Sequence, residues 1–167
     1  MSTTNKTPIT MHEPESTVNG FNSIDPPLFG KPNNLYSAIT ELRLSETASQ
    51  YYISGQVAVD PRTNTTPHAL SSQIDLCLER ISICLDYVGA ETINIVKLMY
   101  YIKDSAISNH SVTNGQEAGL STLRDKLALW LRGHRPSSCL NRVTGLSDER
   151  YLFEIEAIVV VFDRKSR

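Results

Sequence analysis

The sequence has 167 residues, a length typical of one domain of roughly 100–200 residues. With 16 basic and 18 acidic residues the formal net charge is -2, which gives no reason to expect nucleic acid or an anionic membrane as a partner. No run of about 18 apolar residues occurs, and the polar residues 1–10 lack a signal-peptide core, so we expect a cytoplasmic protein without a membrane segment.

The first part of the chain differs in composition from the rest. Residues 1–33 are rich in Ser, Thr, Asn and Pro, and such a segment buries too little apolar surface to offset the entropy lost on ordering. We interpret it as a flexible, extended N-terminal arm that packs over the domain or over a neighbour. Regular structure is then expected to begin near Leu35, with residues 34–167 forming one domain.

Two strands are predicted next, separated by a turn over residues 45–49. Residues 35–44 show the alternation typical of a strand, and residues 50–59 form a second apolar stretch that is interrupted by Ser54 and Gly55. Glycine inside a strand often marks a bulge or the close approach of another group to the backbone. Gly55 is therefore a candidate for either role.

The clearest helix lies between Leu70 and Val88, where apolar residues recur at steps of three and four. Ser71 or Ser72 could cap it, and Gly89 ends it. The later elements are predicted as a strand over 93–102, an irregular polar stretch over 105–115, a helix over 120–131, and strands over 138–143 and 152–162.

The predicted order β-β-α-β-α-β-β indicates an α+β fold with both helices on one face of a mixed sheet. The other face must then be covered by loops or by another subunit. The three cysteines form neither a CxxC pair nor a Cys/His group with zinc spacing, so we expect no metal site.

Four segments, in this order and spacing, make the chain similar to the Rid family (YjgF/UK-type, reactive-intermediate deaminases). They are Ile53-Ser-Gly-Gln-Val57 followed by Asp60-Pro61, Val88-Gly-Ala90 followed by Ile95-Val-Lys97, Tyr101-Ile-Lys-Asp104, and Phe153-Glu-Ile-Glu-Ala-Ile158. The resemblance implies a chorismate-mutase-like fold and a homotrimer whose sheets form an inner barrel. It also implies three clefts between subunits that bind small carboxylate-bearing molecules, and hydrolysis of imines or enamines without a cofactor.

The resemblance also implies site residues. It assigns catalytic roles to Glu154, which helps to position water, and to Cys139 and Tyr36 in the cleft, with Gly55 as part of the wall. The family arginine that grips the substrate carboxylate is missing, because Ser137 stands in its place. Loss of a bidentate clamp is a large change.

Three further residues near Ser137 are candidate ligands for the substrate. Ser138 offers a hydroxyl group. Arg135 lies two residues before Ser137, so in an extended segment its side chain could point to the same side. Arg142 lies three residues after Cys139, so its side chain would point to the opposite face of the strand unless a bulge shifts it.

These observations favour a small-molecule enzyme acting on a reactive imine, enamine or related carbonyl intermediate. A specialised variant would carry out dehydration, tautomerisation or cyclisation in a biosynthetic pathway. The alternative is a non-catalytic trimer of the same fold that binds a small ligand or a protein. A ribonuclease ranks last, since no basic aromatic groove and no His pair for acid-base cleavage is evident.

Overall fold

The computed structural model describes residues 17–18, 20–30, 35–108, 112–113 and 116–162. Within these ranges the chain forms nine β-strands, three α-helices and two short 3-10 helices. The strands are β1 (Thr17–Val18), β2 (Phe21–Ile24), β3 (Ile39–Ser45), β4 (Ala48–Val57), β5 (Ile95–Lys103), β6 (Val112–Thr113), β7 (Gln116–Glu117), β8 (Ser137–Val143) and β9 (Phe153–Phe162). The helices are α1 (Leu70–Tyr87), α2 (Asp104–Ser108) and α3 (Ala118–Leu131), with 3-10 turns at Pro27–Phe29 and Thr92–Asn94.

Seven of these strands form one sheet, and its mixed character confirms the prediction, although β1 and β2 were not among the five predicted strands. Their spatial order is β1-β2-β3-β4-β9-β5-β8. The edge strand β8 runs parallel to β5, and every other pair in the sheet is antiparallel. Helix α1 packs on β4 and β9, and α3 packs on α1, so both long helices lie on the same face of the sheet.

Helix α1 closes the core because its apolar side chains share one stripe. Ile74, Cys77, Ile81 and Cys84 are fully buried against the inner face of the sheet. The expected serine cap is wrong: the N-cap residue is Ala69, and no side chain caps the helix. The predicted stop is confirmed, since a glycine with φ of +67° follows the C-cap residue. No helix in the described part of the chain is long and apolar enough to cross a membrane.

Regular structure begins earlier than the expected start near Leu35. Strand β2 pairs with β3, and Asp25 Oδ1 accepts a 2.6 Å hydrogen bond from the backbone N–H of Ala38. The ring of Phe29 lies 4.2 Å from the guanidinium carbon of Arg80 on α1. Residues 20–30 are therefore part of the packed domain, whereas the prediction of an arm over residues 1–16, 19 and 31–33 lies outside the described residues.

The stretch from 105 to 115 also departs from the prediction of irregular structure. Residues 104–108 form the short helix α2, and two-residue strands at 112–113 and 116–117 pair as a small hairpin. Residues 109–111 and 114–115 lie outside the described part of the chain. A five-residue helix is too short to show the 3.6-residue period on which the sequence analysis relied.

The sheet face opposite α1 and α3 is called the open face here. Successive side chains alternate between the two faces of a strand. In β9, Phe153, Ile155, Ala157 and Val159 point into the core, so Glu154, Glu156, Ile158 and Val160 point to the open face. Large apolar side chains stand exposed on this face, among them Phe21 (46%), Tyr52 (41%) and Phe162 (68%).

Candidate functional site

The central feature of the open face is a bulge in β4 at Ser54 and Gly55. The pairing of β4 with β9 shifts between Ile53 and Gln56, which leaves two residues of β4 opposite one residue of β9. A Cβ atom on Gly55 would lie 2.9 Å from Cδ of Glu154 and would overlap its carboxylate oxygen. The structure thus shows both features that the sequence predicts for this glycine, a bulge and a close approach to the backbone.

Glu154 lies on the open face between Val57 of β4 and Tyr101 of β5, with which it pairs on either side. Its side chain is half-buried. Burial, followed by the nearby negative charge of Glu156, raises the pKa of Glu154 above the ordinary glutamate value. No described residue donates a hydrogen bond to its carboxylate. A carboxylate with a raised pKa is a stronger base than an ordinary glutamate, which suits a group that takes up a proton and returns it.

Tyr101 and Glu156 form a pair beside Glu154 that the sequence analysis missed. The Tyr101 hydroxyl donates a 2.8 Å hydrogen bond to Glu156 Oε1. This hydrogen bond is the main reason that the pKa of Tyr101 is raised, so the phenol stays protonated. Alternation in β5, where Leu98, Tyr100 and Ile102 are buried, would have placed Tyr101 on the open face.

Cys139 lies close to Glu154, Glu156 and Tyr101. It pairs with Met99 of β5, which in turn pairs with Glu156 of β9, so these three residues form the row next to that of Glu154. Its thiol is exposed and lies 3.9 Å from Asn141 Oδ1. One strand separates β8 from β9, which corresponds to about 10 Å. Gly55, Glu154 and Cys139 are thus gathered on one region of the open face.

Ser137 and Arg135 lie farther from Glu154 within the same chain. Ser137 pairs with Lys97, and its hydroxyl donates a 3.1 Å hydrogen bond to the carbonyl of Val96. Glu154 pairs with Tyr101 of β5, which pairs in turn with Asn141 of β8. Asn141 lies four residues beyond Ser137 along β8, which corresponds to about 13 Å. Arg135 is exposed in the loop before β8 and is more distant still.

Ser138 and Arg142 alternate with Ser137, Cys139 and Asn141 along β8, so their side chains lie on the helix side of the sheet. Ser138 pairs with Leu98 of β5 and faces Tyr100, where burial raises the pKa of the phenol and Ser138 partly offsets that effect. Arg142 Nε donates a 2.6 Å hydrogen bond to Asp104 Oδ1. The pairing of β8 with β5 runs without a register shift, so the bulge considered for this strand is not present and Arg142 stays on the far face from Glu154.

Tyr36 precedes β3 in a loop that touches the bulge. The Ser54 hydroxyl donates a 2.7 Å hydrogen bond to the carbonyl of Ser37, and the Ser54 N–H donates to the carbonyl of Ala38 at 3.0 Å. The backbone beside Tyr36 is therefore anchored next to Gly55, while the Tyr36 side chain is 63% exposed. Its placement allows contact with a molecule bound near the bulge.

The site region thus combines two carboxylates, a phenol and a thiol on a rigid sheet. Among the described residues, no group of three or more His, Cys, Asp and Glu side chains is arranged to hold a metal ion. The chemistry available from the chain itself is proton transfer by the half-buried carboxyl of Glu154.

Comparison with known proteins agrees with the fold. The family model described as endoribonuclease L-PSP matches residues 32–161, which is most of the chain. The chain belongs to this family. A comparison with curated protein sequences gave no match.

Solved structures of the Rid and YjgF group share the architecture. The conserved Rid family protein YyfA from Yersinia pestis is 22% identical, with a TM-score of 0.68 over 84% of this chain and 99% of its own. The yjgf gene product of E. coli is 20% identical, with a TM-score of 0.65 over 83% and 98%. E. coli TdcF, solved with bound serine, is 22% identical, with a TM-score of 0.60 over 77% and 90%. At these identities the likeness establishes the fold alone. The predicted family resemblance is confirmed by the family-model match over residues 32–161.

Proposed function

We propose that the chain is an enzyme that hydrolyses small imines or enamines to a carbonyl compound and ammonia. Its active sites would form where the open faces of three copies meet. The observation that carries this proposal is the half-buried carboxyl group of Glu154, which lies against the Gly55 bulge with a raised pKa and no described hydrogen-bond donor.

The proposed reaction requires one group that moves protons in both directions. Water adds to the carbon of the C=N bond, and Glu154 takes one water proton and delivers it to the nitrogen, which gives a carbinolamine. The C–N bond then breaks, the remaining hydroxyl proton passes through Glu154 to the nitrogen, and ammonia leaves. The raised pKa of Glu154 makes its carboxylate a stronger base than an ordinary glutamate, and its protonated form can return the proton to the nitrogen.

The relatives support a small molecule as the ligand. The chain belongs to the endoribonuclease L-PSP family and shares its fold with Rid proteins. E. coli TdcF, which shares this fold, was solved with serine, a small molecule that carries both an amino group and a carboxylate.

The proposed assembly rests on the apolar character of the open face. Phe21, Tyr52 and Phe162 remain substantially exposed in the single chain, on the face of the sheet opposite the one on which α1 packs over β4 and β9. Contiguous exposed apolar surface marks an interaction site. A homotrimer that buries this face would also exclude water from the surroundings of Glu154, which strengthens electrostatic effects there.

The test is ammonia release from 2-aminoacrylate and from bulkier imines by the purified protein. We expect Glu154→Gln to lower the catalysed rate by about 10²-fold or more, which is typical for the loss of a general acid-base group. Glu79→Gln is the matched control, because Glu79 is an exposed glutamate of α1 that pairs with Arg62. Wild-type rates in Glu154→Gln would contradict the proposal.

A non-catalytic ligand-binding trimer is the second candidate, and Ser137 favours it. The family resemblance puts an arginine at this position, whereas Ser137 carries no charge and its hydroxyl donates to a backbone carbonyl. If a small carboxylate binds while ammonia release does not exceed the spontaneous rate, this alternative holds. The variant Ser137→Arg, assayed beside the wild type, tests whether the residue at position 137 determines which substrates are hydrolysed.

A further inference from the structure

The bulge in β4 turns a glutamine toward the helix side of the sheet. Ile53 and Gln56 lie three residues apart, yet both are buried in the core. In a regular strand two such residues point to opposite faces. The bulge at Ser54 and Gly55 adds one residue between them, so Gln56 faces α1 and not the open face. Only 3% of Gln56 is exposed, and a polar side chain buried to this extent needs hydrogen-bond partners.

The side-chain amide of Gln56 connects the backbone of the bulge to helix α1. Its Nε2 donates a 2.8 Å hydrogen bond to the carbonyl of Ser54, and its Oε1 accepts a 3.0 Å hydrogen bond from Nε of Arg80. The same guanidinium donates from Nη1 to the carbonyl of Val59 at 2.9 Å. Arg80 therefore holds β4 and the residues that follow it with two donors of one planar group.

Arg80 is itself fixed from a third side. The ring of Phe29, in the 3-10 turn Pro27–Phe29, lies 4.2 Å from its guanidinium carbon. These contacts of the half-buried guanidinium are with neutral groups: an amide oxygen, a backbone carbonyl and an aromatic ring. Such a planar group, held on its edge and on its face, fixes the position of Gln56 more rigidly than a lysine could.

The bulge is thus anchored on both sides of Gly55. The N–H and the hydroxyl of Ser54 donate to the loop before β3, and its carbonyl accepts from Gln56. On the open face, the Glu154 carboxyl group occupies the space that a Cβ atom on Gly55 would need. A shift of the Gly55 backbone therefore moves the surface against which the Glu154 carboxyl group lies.

From this arrangement we infer that Gln56 and Arg80 are positioning residues, which hold the Gly55 bulge from the helix side and thereby place the carboxyl group of Glu154 on the open face. The inference rests on the proposed function for its effect on turnover, whereas the placement of Glu154 can be measured without turnover. If the two residues only pack the core, their replacement lowers stability and leaves the titration of Glu154 unchanged.

The experiment follows the titration of Glu154 by carbon-detected NMR on the full-length protein labelled with ¹³C-glutamate, with Glu154→Gln to assign the signal. Gln56→Met removes the hydrogen bond to the Ser54 carbonyl without changing the charge or adding a branch. We expect the pKa of Glu154 to fall toward the ordinary glutamate value, because burial is the main cause of its rise and a relaxed bulge exposes the carboxyl group. The groups that face Glu154 on the open face, Glu156 and Tyr101, are unchanged in this variant.

A second variant and a control separate placement from general loosening of the fold. Arg80→Lys keeps the charge but cannot donate to both Gln56 and Val59 in the same geometry, so it should shift the titration in the same direction. It decides the question alone if Gln56→Met does not fold. Ser49→Ala is the matched control, because it removes a buried side-chain hydrogen bond, to Glu41, from the far end of the same strand.

Turnover adds an independent readout. Gln56→Met should lower the rate of ammonia release by about tenfold or more, because a misplaced proton-transfer group is a poor catalyst, and it should add no further loss in the Glu154→Gln background. An unchanged Glu154 titration in the folded variants, an equal shift in Ser49→Ala, or losses that multiply in the double variant would each overturn the inference. A shifted titration in a protein that releases no ammonia would support it and would contradict only the proposed catalysis.

Discussion

The acid-base behaviour of Glu154 is set by two neighbours, the backbone of Gly55 and the carboxylate of Glu156. Gly55 lets the carboxyl group lie against the strand, where burial disfavours its charged form. Glu156 lies two residues further along the same face, and its negative charge disfavours a second charge nearby. Both effects raise the pKa of Glu154, and the second can be removed without touching the first.

Replacing Glu156 with Gln should therefore lower the pKa of Glu154. If the ionised form of Glu154 starts the reaction, kcat/KM rises with pH as this group loses its proton, and the acidic limb of the profile should move to lower pH in Glu156→Gln. The measurement is the pH dependence of ammonia release, with Glu79→Gln as the control that should leave the limb in place. If the acidic limb of the kcat/KM profile keeps its position or moves to higher pH in Glu156→Gln, this coupling between Glu154 and Glu156 is contradicted.

The sequence predicts some of these residues and not others for a physical reason. Local signals mark Gly55 as a glycine within a strand pattern and place Glu154 on one face of the alternating final strand, whereas the site roles of both residues follow from the resemblance to the Rid family. The bond from Tyr101 to Glu156 and the position of Lys97 next to Ser137 depend on how β5, β8 and β9 align. Register between strands that are distant in sequence is a tertiary property, so no local pattern reveals it.

At the scale of elements, Glu41 of β3 forms side-chain hydrogen bonds with residues of both neighbouring strands, β2 and β4. Its carboxylate accepts hydrogen bonds from Asn22 Nδ2 at 2.8 Å, from Ser49 Oγ at 2.7 Å and from the Tyr51 hydroxyl at 3.3 Å, and it lies 3.8 Å from Arg43 Nη1. Burial acts to raise the pKa of Glu41, but the three hydrogen bonds and Arg43 outweigh it and lower the pKa. The ionised carboxylate thus stabilises the folded sheet.

Replacing Glu41 with Ala should lower the free energy of unfolding by about 1–3 kcal/mol at neutral pH, because it removes the hydrogen bonds that the Glu41 carboxylate accepts from Asn22, Ser49 and Tyr51. Urea denaturation measures this loss, with Glu46→Ala in the exposed turn between β3 and β4 as the control. Since the folded-state pKa is depressed, the stabilisation is present above the unfolded-state pKa and is lost as the pH falls through the folded-state pKa. A loss that grows as the pH falls through this window would contradict the assignment.

The elements that sequence predicts well are those with a long periodic pattern. Helix α1 shows its stripe over 18 residues, and β9 alternates over ten. Strand β2 was missed because its four residues lie in a segment rich in Pro and polar residues, and its extended form depends on pairing with β3. Likewise, α2 spans five residues and offers too few turns for its period to appear.

At the scale of the whole molecule, the sheet is covered on one side only. Helices α1 and α3 pack on the inner face, while the open face presents apolar side chains beside Glu154, Glu156 and Tyr101. The proposed trimer accounts for this asymmetry, because burial of the apolar rows would stabilise the assembly and enclose these polar residues at the same time. Assembly and activity should then be lost together.

A charge in the apolar part of the open face should separate the subunits. Val160 lies in the row formed by Phe21, Leu42 and Gln50. We expect Val160→Asp to lower the mass seen by analytical ultracentrifugation from about three times 18.6 kDa toward the single chain, and to lower ammonia release with it. The control is Leu129→Asp, since Leu129 is 81% exposed on α3, away from the open face. A wild type that is already monomeric, or a fully active Val160→Asp monomer, would contradict the proposed assembly.

The account depends most on Gly55 and Glu154 acting as one unit, and a double-mutant cycle on ammonia release from 2-aminoacrylate tests this directly. A methyl group on Gly55 must displace the Glu154 carboxylate, so Gly55→Ala should lose most of the activity lost in Glu154→Gln, with little change in thermal unfolding because only a flexible side chain moves. The double variant should be no slower than Glu154→Gln alone. Wild-type activity in Gly55→Ala, or losses that multiply in the double variant, would show that the carboxylate against the bulge is not where the chemistry takes place.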